Sequence, residues 1–403
     1  MRILHVSPAY ALFRGGAEAY VQRLSERLAG LGHTVSVLTT WAEQAEHFWE
    51  GTPNRLVSRA ELNGVSVMRL PVSALRPAPW TFHLLHRMAQ GISAFPNDPV
   101  LSLARILPCV KDLQPAMRDV PDLDVIHVVN LNFPSLAVAA WAEAKRRGCP
   151  LMITPFLHVN GERIYPRTIL QQATLVLAQS QVEVAALIRL GVSAKRILLT
   201  GVGIDADTAR GGDSARFRRS FQLGDEPIVV FVGTASIDKG ALQLYQAMKL
   251  FWQKGGCARL VMAGRMTRAV DSAIPQDGRV WRLGPVSDDV KRDLLAAAAL
   301  LVMPSRVESL GIAYLEAWAN GLPVIGARVG AVAELIAHNV NGLLVPFGDC
   351  EAIAQAIQDL LTDGALRALL GERGRQLVEE RYTWAVVLPR ILKAYEQALA
   401  GRK

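Results

Sequence analysis

The sequence predicts an α/β protein made of two parallel-sheet domains. Three observations lead there. The 403 residues exceed what one ordinary core organises, and two domains of about 200 residues each are the natural division. The order strand, glycine loop, helix, strand occurs near the N-terminus and again after residue 227. Such alternation implies a parallel sheet covered on both faces. Hydrophobic residues make up 51% and charged residues 20%, a globular composition rather than a disordered one.

The first half opens with an apolar strand, Ile3–Val6. A loop containing Gly15-Gly16 leads to a helix whose apolar face is Ala17, Tyr20, Val21, Leu24, Leu28 and Leu31. Gly32 ends that helix and Val35–Leu38 is the next strand. The second half repeats the order with strand Ile228–Val232, loop Gly233–Gly240, a helix over Ala241–Gln253 with Leu242, Tyr245 and Met248 on one face, the stop Gly255-Gly256, and strand Arg259–Ala263. The halves read as two Rossmann-like domains. Their glycine loops follow the carboxyl ends of strands, where open α/β sheets bind ligands. Domains facing each other would leave a cleft between them. A linker is expected near residues 204–226, where Asp, Gly and Arg replace the apolar pattern. Residues 41–118 are proline-rich, fit no simple βα repeat, and read as an insertion or elaborated loops. Trp384–Ala398 reads as a final helix.

The segment with the most chemistry is MPSRVESLGIAYLEAWANGLPVI, from Met303. Strand Leu300–Met303 ends at Pro304-Ser305, a loop carries Glu308, and a helix begins near Gly311 and runs through Glu316 to Asn320-Gly321. Free N–H groups of Ser309, Leu310, Gly311 and Ile312 at that helix start can bind phosphate, aided by the helix dipole. Gly311 permits close backbone approach. Two carboxylates beside an anion site make sense for sugars, because a carboxylate accepts two hydrogen bonds from a vicinal diol. The plain alternative is a capped helix carrying two surface glutamates.

Glu308-x7-Glu316 in this setting resembles the retaining family-4 (group 1) glycosyltransferases of GT-B fold. The likeness covers nearly the whole chain apart from residues 41–118. GGAEAYVQRLSERLAGLGHTVSVLT resembles their first glycine loop, helix and strand; PLMITPFLH a strand and histidine of their N-terminal domain; GVGID their interdomain motif; FVGTASIDKG their second glycine loop; GLLVPFGD a C-terminal loop. The resemblance implies an acceptor-binding domain at 1–203, a nucleotide-sugar-binding domain at 204–383, and a C-terminal helix, 384–403, crossing back to the first. It implies that Glu316 binds the ribose of a nucleotide diphosphate sugar and Glu308 the donor hexose. Backbone groups of Ser309, Leu310, Gly311 and Ile312, with Gly233 and Thr234 of the second loop, meet the donor. Lys239 neutralises the leaving diphosphate. Gly15 and Gly16 face the diphosphate or acceptor, and His158 lies near the transferred sugar, either orienting it or moving a proton. Similar proteins carry Arg where this chain has Thr234. Arg265 either replaces that charge or is an ordinary surface arginine.

The implied reaction is transfer of a hexose to a sugar, lipid-linked or polysaccharide acceptor with retention of configuration. It uses no metal and no cofactor beyond the donor substrate. A catalytically weak sugar-nucleotide binder is the alternative that Thr234 keeps open. A dinucleotide oxidoreductase is excluded, since Gly15-Gly16 lacks the Gly-x-Gly-x-x-Gly spacing.

The formal net charge is +8. Residues 51–118 hold eight basic side chains (Arg55, Arg59, Arg69, Arg76, Arg87, Arg105, Lys111 and Arg118) against three acidic ones (Glu61, Asp98 and Asp112). Such a stretch favours a phosphate-bearing acceptor or an anionic membrane, or is simply a solvated face. No nucleic-acid-binding module accompanies it. The stripe Trp80, Leu84, Leu85, Met88 and Ile92 lies on a membrane interface or packs within its domain. The N-terminus lacks a signal peptide's apolar region, and the longest apolar run, Leu294–Pro304, is shorter than the ~18–20 residues of a membrane span. Four separated cysteines read as reduced, mostly buried thiols of a cytoplasmic protein, with peripheral attachment to the inner face of a membrane left open. His5 and His127 are expected in the core, His33 in a turn, and Glu334 as a cap or ion pair.

Overall fold

A computed structural model describes residues 1–12, 15–52, 56–74, 108–158 and 166–401. They form two compact units: Met1–Gly201 with Leu388–Lys403, and Val202–Val387. The stripe from Trp80 to Ile92, and Arg55, Arg76, Arg87 and Arg105 of the basic stretch, lie outside the described residues.

The first unit is built on β1 (Arg2–Val6), β2 (Thr34–Thr40), β3 (Ser58–Leu62), β4 (Val65–Leu70), β7 (Val125–Val129), β8 (Leu151–Thr154), β9 (Leu175–Ala178) and β10 (Ile197–Leu199), in the order β10-β9-β8-β7-β1-β2-β4-β3. A small ribbon pairs β5 (Val72–Ser73) with β6 (Cys109–Val110). All pairings in the large sheet are parallel except β3 with β4. That hairpin turns through Asn63-Gly64, both at positive φ (51° and 76°), the two-residue turn whose twist suits a hairpin. It explains why residues 58–70 fit no βα repeat. Successive strands spread in opposite directions from β1 and β7, so the switch point of the sheet lies between them.

One sheet face carries Leu4, Val6, Leu38, Leu70, Ile126 and Val128 into a core shared with the helix Pro134–Arg147. The Gly16–Gly30 helix covers the other with Tyr20, Val21, Leu24 and Leu28. Leu31, expected on that apolar face, is 54% exposed because the helix has already ended there.

His5 and His127 are core residues, as expected, and a hydroxyl joins them. Ser25 Oγ donates to the Val21 carbonyl at 2.7 Å, so at 2.6 Å it accepts from His5 Nδ1. His5 Nε2 is then the acceptor for Tyr395 Oη at 2.8 Å. The Tyr395 oxygen accepts from His127 Nδ1 at 2.7 Å, and His127 Nε2 accepts from Thr154 Oγ1 at 2.8 Å. One carbonyl thus fixes both tautomers. Burial holds His5 neutral, its pKa pushed down to about 3, and lowers His127 well below the usual range with His5 adding to it. Tyr395 belongs to the terminal helix Trp384–Ala400, whose Pro389 lies at the passage from the second unit to the first.

The second unit is a six-stranded parallel sheet of β11 (Ile228–Val232), β12 (Arg259–Ala263), β13 (Val280–Gly284), β14 (Leu300–Met303), β15 (Val324–Ala327) and β16 (Leu343–Val345), ordered β13-β12-β11-β14-β15-β16. This is the 3-2-1-4-5-6 order of a dinucleotide-type sheet, with its switch point between β11 and β14. The helix Ala241–Gln253 buries Ala241, Leu244, Tyr245, Ala247, Met248, Phe251 and Trp252; Leu242, expected on that face, is only half-buried because the face is centred on Leu244 and Met248. Residues 204–226 are not a bare linker. They hold the helices Ala206–Ala209 and Ser214–Ser220, with Phe217 buried and Arg216 paired with Asp293 at 2.5 Å. Their charges satisfy contacts within the unit, which erased the apolar pattern. All four cysteines are free thiols, but only Cys149 is buried; Cys257 is exposed because it leaves the surface turn at Gly255-Gly256. Among the described residues, no helix is long and apolar enough to cross a membrane.

Candidate functional site

The switch point of the second unit gathers the residues singled out between 233 and 316. The loop after β11 ends at Gly240, in the left-handed region (φ 72°), where a Cβ would stand 2.2 Å from the Pro304 carbonyl oxygen. Glycine there lets the loops after β11 and β14 touch backbone to backbone. Arg306 N donates to Asp238 O at 2.7 Å, and their side chains pair at 2.5 Å. This seam places Lys239 against Glu308: Nζ and Oε1 are 2.7 Å apart, with Glu308 mostly buried. Lys239 also donates to the Val307 carbonyl at 3.2 Å, and Ser305 Oγ donates to Glu308 Oε1 at 3.1 Å.

Gly311 caps the helix Ile312–Ala319 with φ 92°. A Cβ there would strike the Tyr314 ring at 2.5 Å, and the Tyr314 hydroxyl is tied to the Met303 carbonyl at the end of β14. Strand end and helix start are therefore braced by one side chain. The N–H groups of Ser309, Leu310 and Gly311 donate to nothing among the described residues, and Ile312 opens the helix. Four donors at a dipole's positive end, beside a lysine, make an anion receptor. One turn on, Glu316 pairs with Lys291 at 2.7 Å, and its carbonyl accepts from Asn320 Nδ2 at 2.9 Å.

Gly233 (φ 132°) and Gly264 (φ 129°) bring the loops after β11 and β12 together, a Cβ on Gly264 standing 2.1 Å from the Gly233 carbonyl oxygen. Thr234 is exposed on this seam. Arg265 is half-buried, and its carbonyl accepts from Ala235 N at 2.7 Å.

In the first unit, Gly15 is the extended N-cap (φ −124°) and Gly16 the exposed first residue of its helix, at the carboxyl end of β1. Glu18 in the first turn is buried and accepts from Asn130 Nδ2 at 3.1 Å. His158 is half-buried after β8. The loop before it is held by Glu183, whose Oε1 accepts from Leu157 N and Oε2 from Gln179 N, both at 2.6 Å. Phe156 in this loop has φ 52° and packs edge-on against Tyr20. Glu183 is fully buried, and desolvation raises its pKa to about 7 against the pull of the two N–H groups.

Residues 15–203 match the family described as glycosyl transferase 4-like domain, and residues 213–377 the family described as glycosyl transferases group 1. The chain belongs to the group 1 glycosyltransferases. It is 27% identical to a D-inositol 3-phosphate glycosyltransferase of Xylanimonas cellulosilytica over 96% of this chain and 93% of that one. A phosphatidyl-myo-inositol mannosyltransferase of Mycolicibacterium smegmatis is 26% identical over 98% and 94%. An uncharacterized glycosyltransferase of Methanocaldococcus jannaschii is 32% identical, the match spanning 46% of this chain and about half (49%) of that protein. Among solved structures, sucrose-phosphate synthase from Thermosynechococcus elongatus has TM-score 0.73 at 21% identity, with full coverage of both chains. Anabaena HepE in complex with UDP and glucose has TM-score 0.72 at 19% identity, covering 98% and 99%. The fold is the two-domain α/β fold of these GT-B neighbours.

For a glycosyltransferase of this group, three features escaped the sequence reading. Lys291 beside Glu316 gives no local signal. Ser305 stands three residues before Glu308, a spacing that could have marked it. Ser180-x-x-Glu183 is a visible capping box, but only Ser180 follows the pattern, accepting from Glu183 N at 3.1 Å. The sequence also holds two Asp-x-Asp triplets, Asp122-Leu123-Asp124 and Asp205-Ala206-Asp207, beside the expectation of a metal-free reaction. Asp122 and Asp124 pair with Arg2 at 3.2 and 2.9 Å. Among the described residues no group of three or more His, Cys, Asp or Glu is placed to hold a metal.

Proposed function

We propose that this glycosyltransferase moves a hexose from a nucleotide diphosphate sugar to an acceptor hydroxyl, with retention of configuration and without a metal. The observation that carries the reading is the Lys239–Glu308 pair beside the unbonded N–H groups of Ser309, Leu310 and Gly311. A diphosphate takes the N–H groups and draws Lys239 toward itself. Glu308 is then released to accept hydroxyls of the hexose, and Glu316 takes the ribose diol in exchange for Lys291. As the glycosidic bond breaks, charge grows on the diphosphate, and a fixed lysine and helix dipole stabilise it more than they stabilise the bound donor. The sugar passes through oxocarbenium character. His158 stands near the transferred sugar, and the Gly15-Gly16 helix start serves the diphosphate or the acceptor. The acceptor is a sugar, lipid-linked or polysaccharide hydroxyl, reached in the cytoplasm with or without contact to an anionic membrane.

A thermal-shift screen of nucleotide sugars tests this reading. The true donor raises the melting temperature by mass action, and Glu316→Ala lowers that gain. Wild-type donor turnover in Glu316→Ala would sink the ribose assignment. Undiminished activity in excess chelator is expected, and NMR of the product anomer reads the stereochemistry. Absence of both transfer and donor hydrolysis with the bound donor would favour a sugar-nucleotide binder, the reading that exposed Thr234 supports.

A further inference from the structure

Arg69 lies in β4, one residue before its carboxyl end, and is only 6% exposed. Among the described residues no carboxylate pairs with its guanidinium and no acceptor bonds it; Nε is buried without a partner. Its contact is the face of Trp41, 5.4 Å from the ring centroid. Burial lowers its pKa, and no carboxylate opposes that effect. Thr39 is its register partner on β2, so both side chains leave the sheet on one face. Thr39 is fully buried and its Oγ1 is also unpartnered. Tyr10, in the loop after β1, is buried with its hydroxyl beside Ser25, within electrostatic range of Glu26 and of Arg69. Buried polar groups are hydrogen-bonded as a rule, and a buried charge without a counter-charge is costly, so Arg69 and Thr39 side by side call for an absent partner.

The two groups stand at the carboxyl edge of the first unit's parallel sheet, the edge where such sheets take ligands. Guanidinium and hydroxyl are a donor set for an oxyanion, and Arg offers it a planar fork. The slight remaining exposure of Arg69 suits contact with one oxyanion rather than an extended polyanion. We propose that Arg69, with Thr39, receives a phosphate group carried by the acceptor. That an acceptor carries it rests on the function proposed above; the anion site itself does not.

Inorganic phosphate is the first probe, exchanged for chloride at constant ionic strength while melting temperature is followed. Wild type and Lys239→Ala should gain stability from phosphate. In the Lys239→Ala background, where the receptor at Ser309–Ile312 is weakened, Arg69→Gln should lose the gain, its apparent phosphate affinity falling at least about tenfold, and Thr39→Val should weaken it less. Arg69→Gln removes an unpaired charge and so keeps the fold; circular dichroism verifies it, and Arg69→Lys should restore part of the effect. No gain in wild type means that water alone fills the site, and this overturns the proposal. So does a gain in Lys239→Ala that Arg69→Gln leaves unchanged, or a gain lost with Lys239→Ala alone. Two further arms name the source: a soluble hexose phosphate, and phosphatidylcholine vesicles containing phosphatidic acid. Binding that needs Arg69 in one arm identifies a free or a lipid-borne phosphate. Arg69-independent or absent binding in both overturns the acceptor assignment. If nucleotide sugars fail to stabilise wild type, the proposed function fails while the phosphate result stands.

Discussion

The two units treat their polar groups in opposite ways. In the second, Glu308 and Glu316 each hold a lysine at 2.7 Å, and both lysines are partly exposed. In the first, His5, His127, Tyr395 and Glu183 are sealed from solvent and bonded to neutral partners or backbone N–H groups. An ion pair whose lysine is partly exposed can give that lysine up to a ligand, while its more buried carboxylate stays in place. A buried neutral network is expensive to break and fixes geometry. Handling the donor therefore belongs to groups that can let go, and holding the frame to groups that cannot.

The comparison breaks most sharply if Lys239 proves structural. Lys239→Ala should lower kcat by about 100- to 1,000-fold, the usual loss for one stabiliser of a leaving group, with a smaller loss of stability because the mostly buried Glu308 keeps Ser305 as its side-chain partner. Single-turnover kinetics beside calorimetry separates the two. A large loss of stability with a small loss of rate would reverse the roles given to the units.

Tyr395→Phe is the converse. It leaves His127 Nδ1–H without an acceptor and His5 Nε2 without a donor, both fully buried. A loss of about 2–4 kcal/mol is expected in urea unfolding, with donor-induced stabilisation retained. Gly311→Ala comes next, because it touches both properties. The added methyl meets the Tyr314 ring in a backbone region unfavourable to alanine, so about 1–3 kcal/mol should be lost along with donor affinity.

How much of this was legible follows the same division. Ile228–Val232, Ala241–Gln253, Arg259–Ala263 and Leu300–Met303 occupy the same bounds in sequence and structure, because each strand is an apolar run closed by glycine or proline and the helix keeps one apolar face until just before Gly255-Gly256. The hairpin at Asn63-Gly64 had a readable turn, but the alternation around it is weak: β3 lies at the sheet edge with its middle exposed. The sealed network was not readable. Tyr395 meets His5 across 390 positions, and no periodicity foretells such a partner. Glu183 was readable as a cap and misleading as one, since its carboxylate reaches a strand loop 26 residues away. Arg69 looked like one more charge in a basic stretch; only packing shows it without a partner.

The finest expected effect is a slope. His5 has a folded pKa near 3, below its unfolded value of 6.5, so the unfolded chain binds more protons between those limits. Stability from His5 therefore rises with pH across that window and is fully present above 6.5; His127 acts in the same direction. Glu183 has a folded pKa near 7, above its unfolded 4.5, so the folded chain binds more protons there. Its contribution is fully present below 4.5 and is lost as pH rises through 7. Between 4.5 and 6.5 the carboxyl thus cancels one histidine. Glu183→Gln should remove the cancellation, steepening the rise of unfolding free energy by about 1.4 kcal/mol per pH unit in that window, whatever the variant's overall stability. Urea unfolding at four or five pH values reads the difference. An unchanged slope would mean that Glu183 is ionised throughout, an exchangeable charge like those of the second unit and no part of the sealed frame.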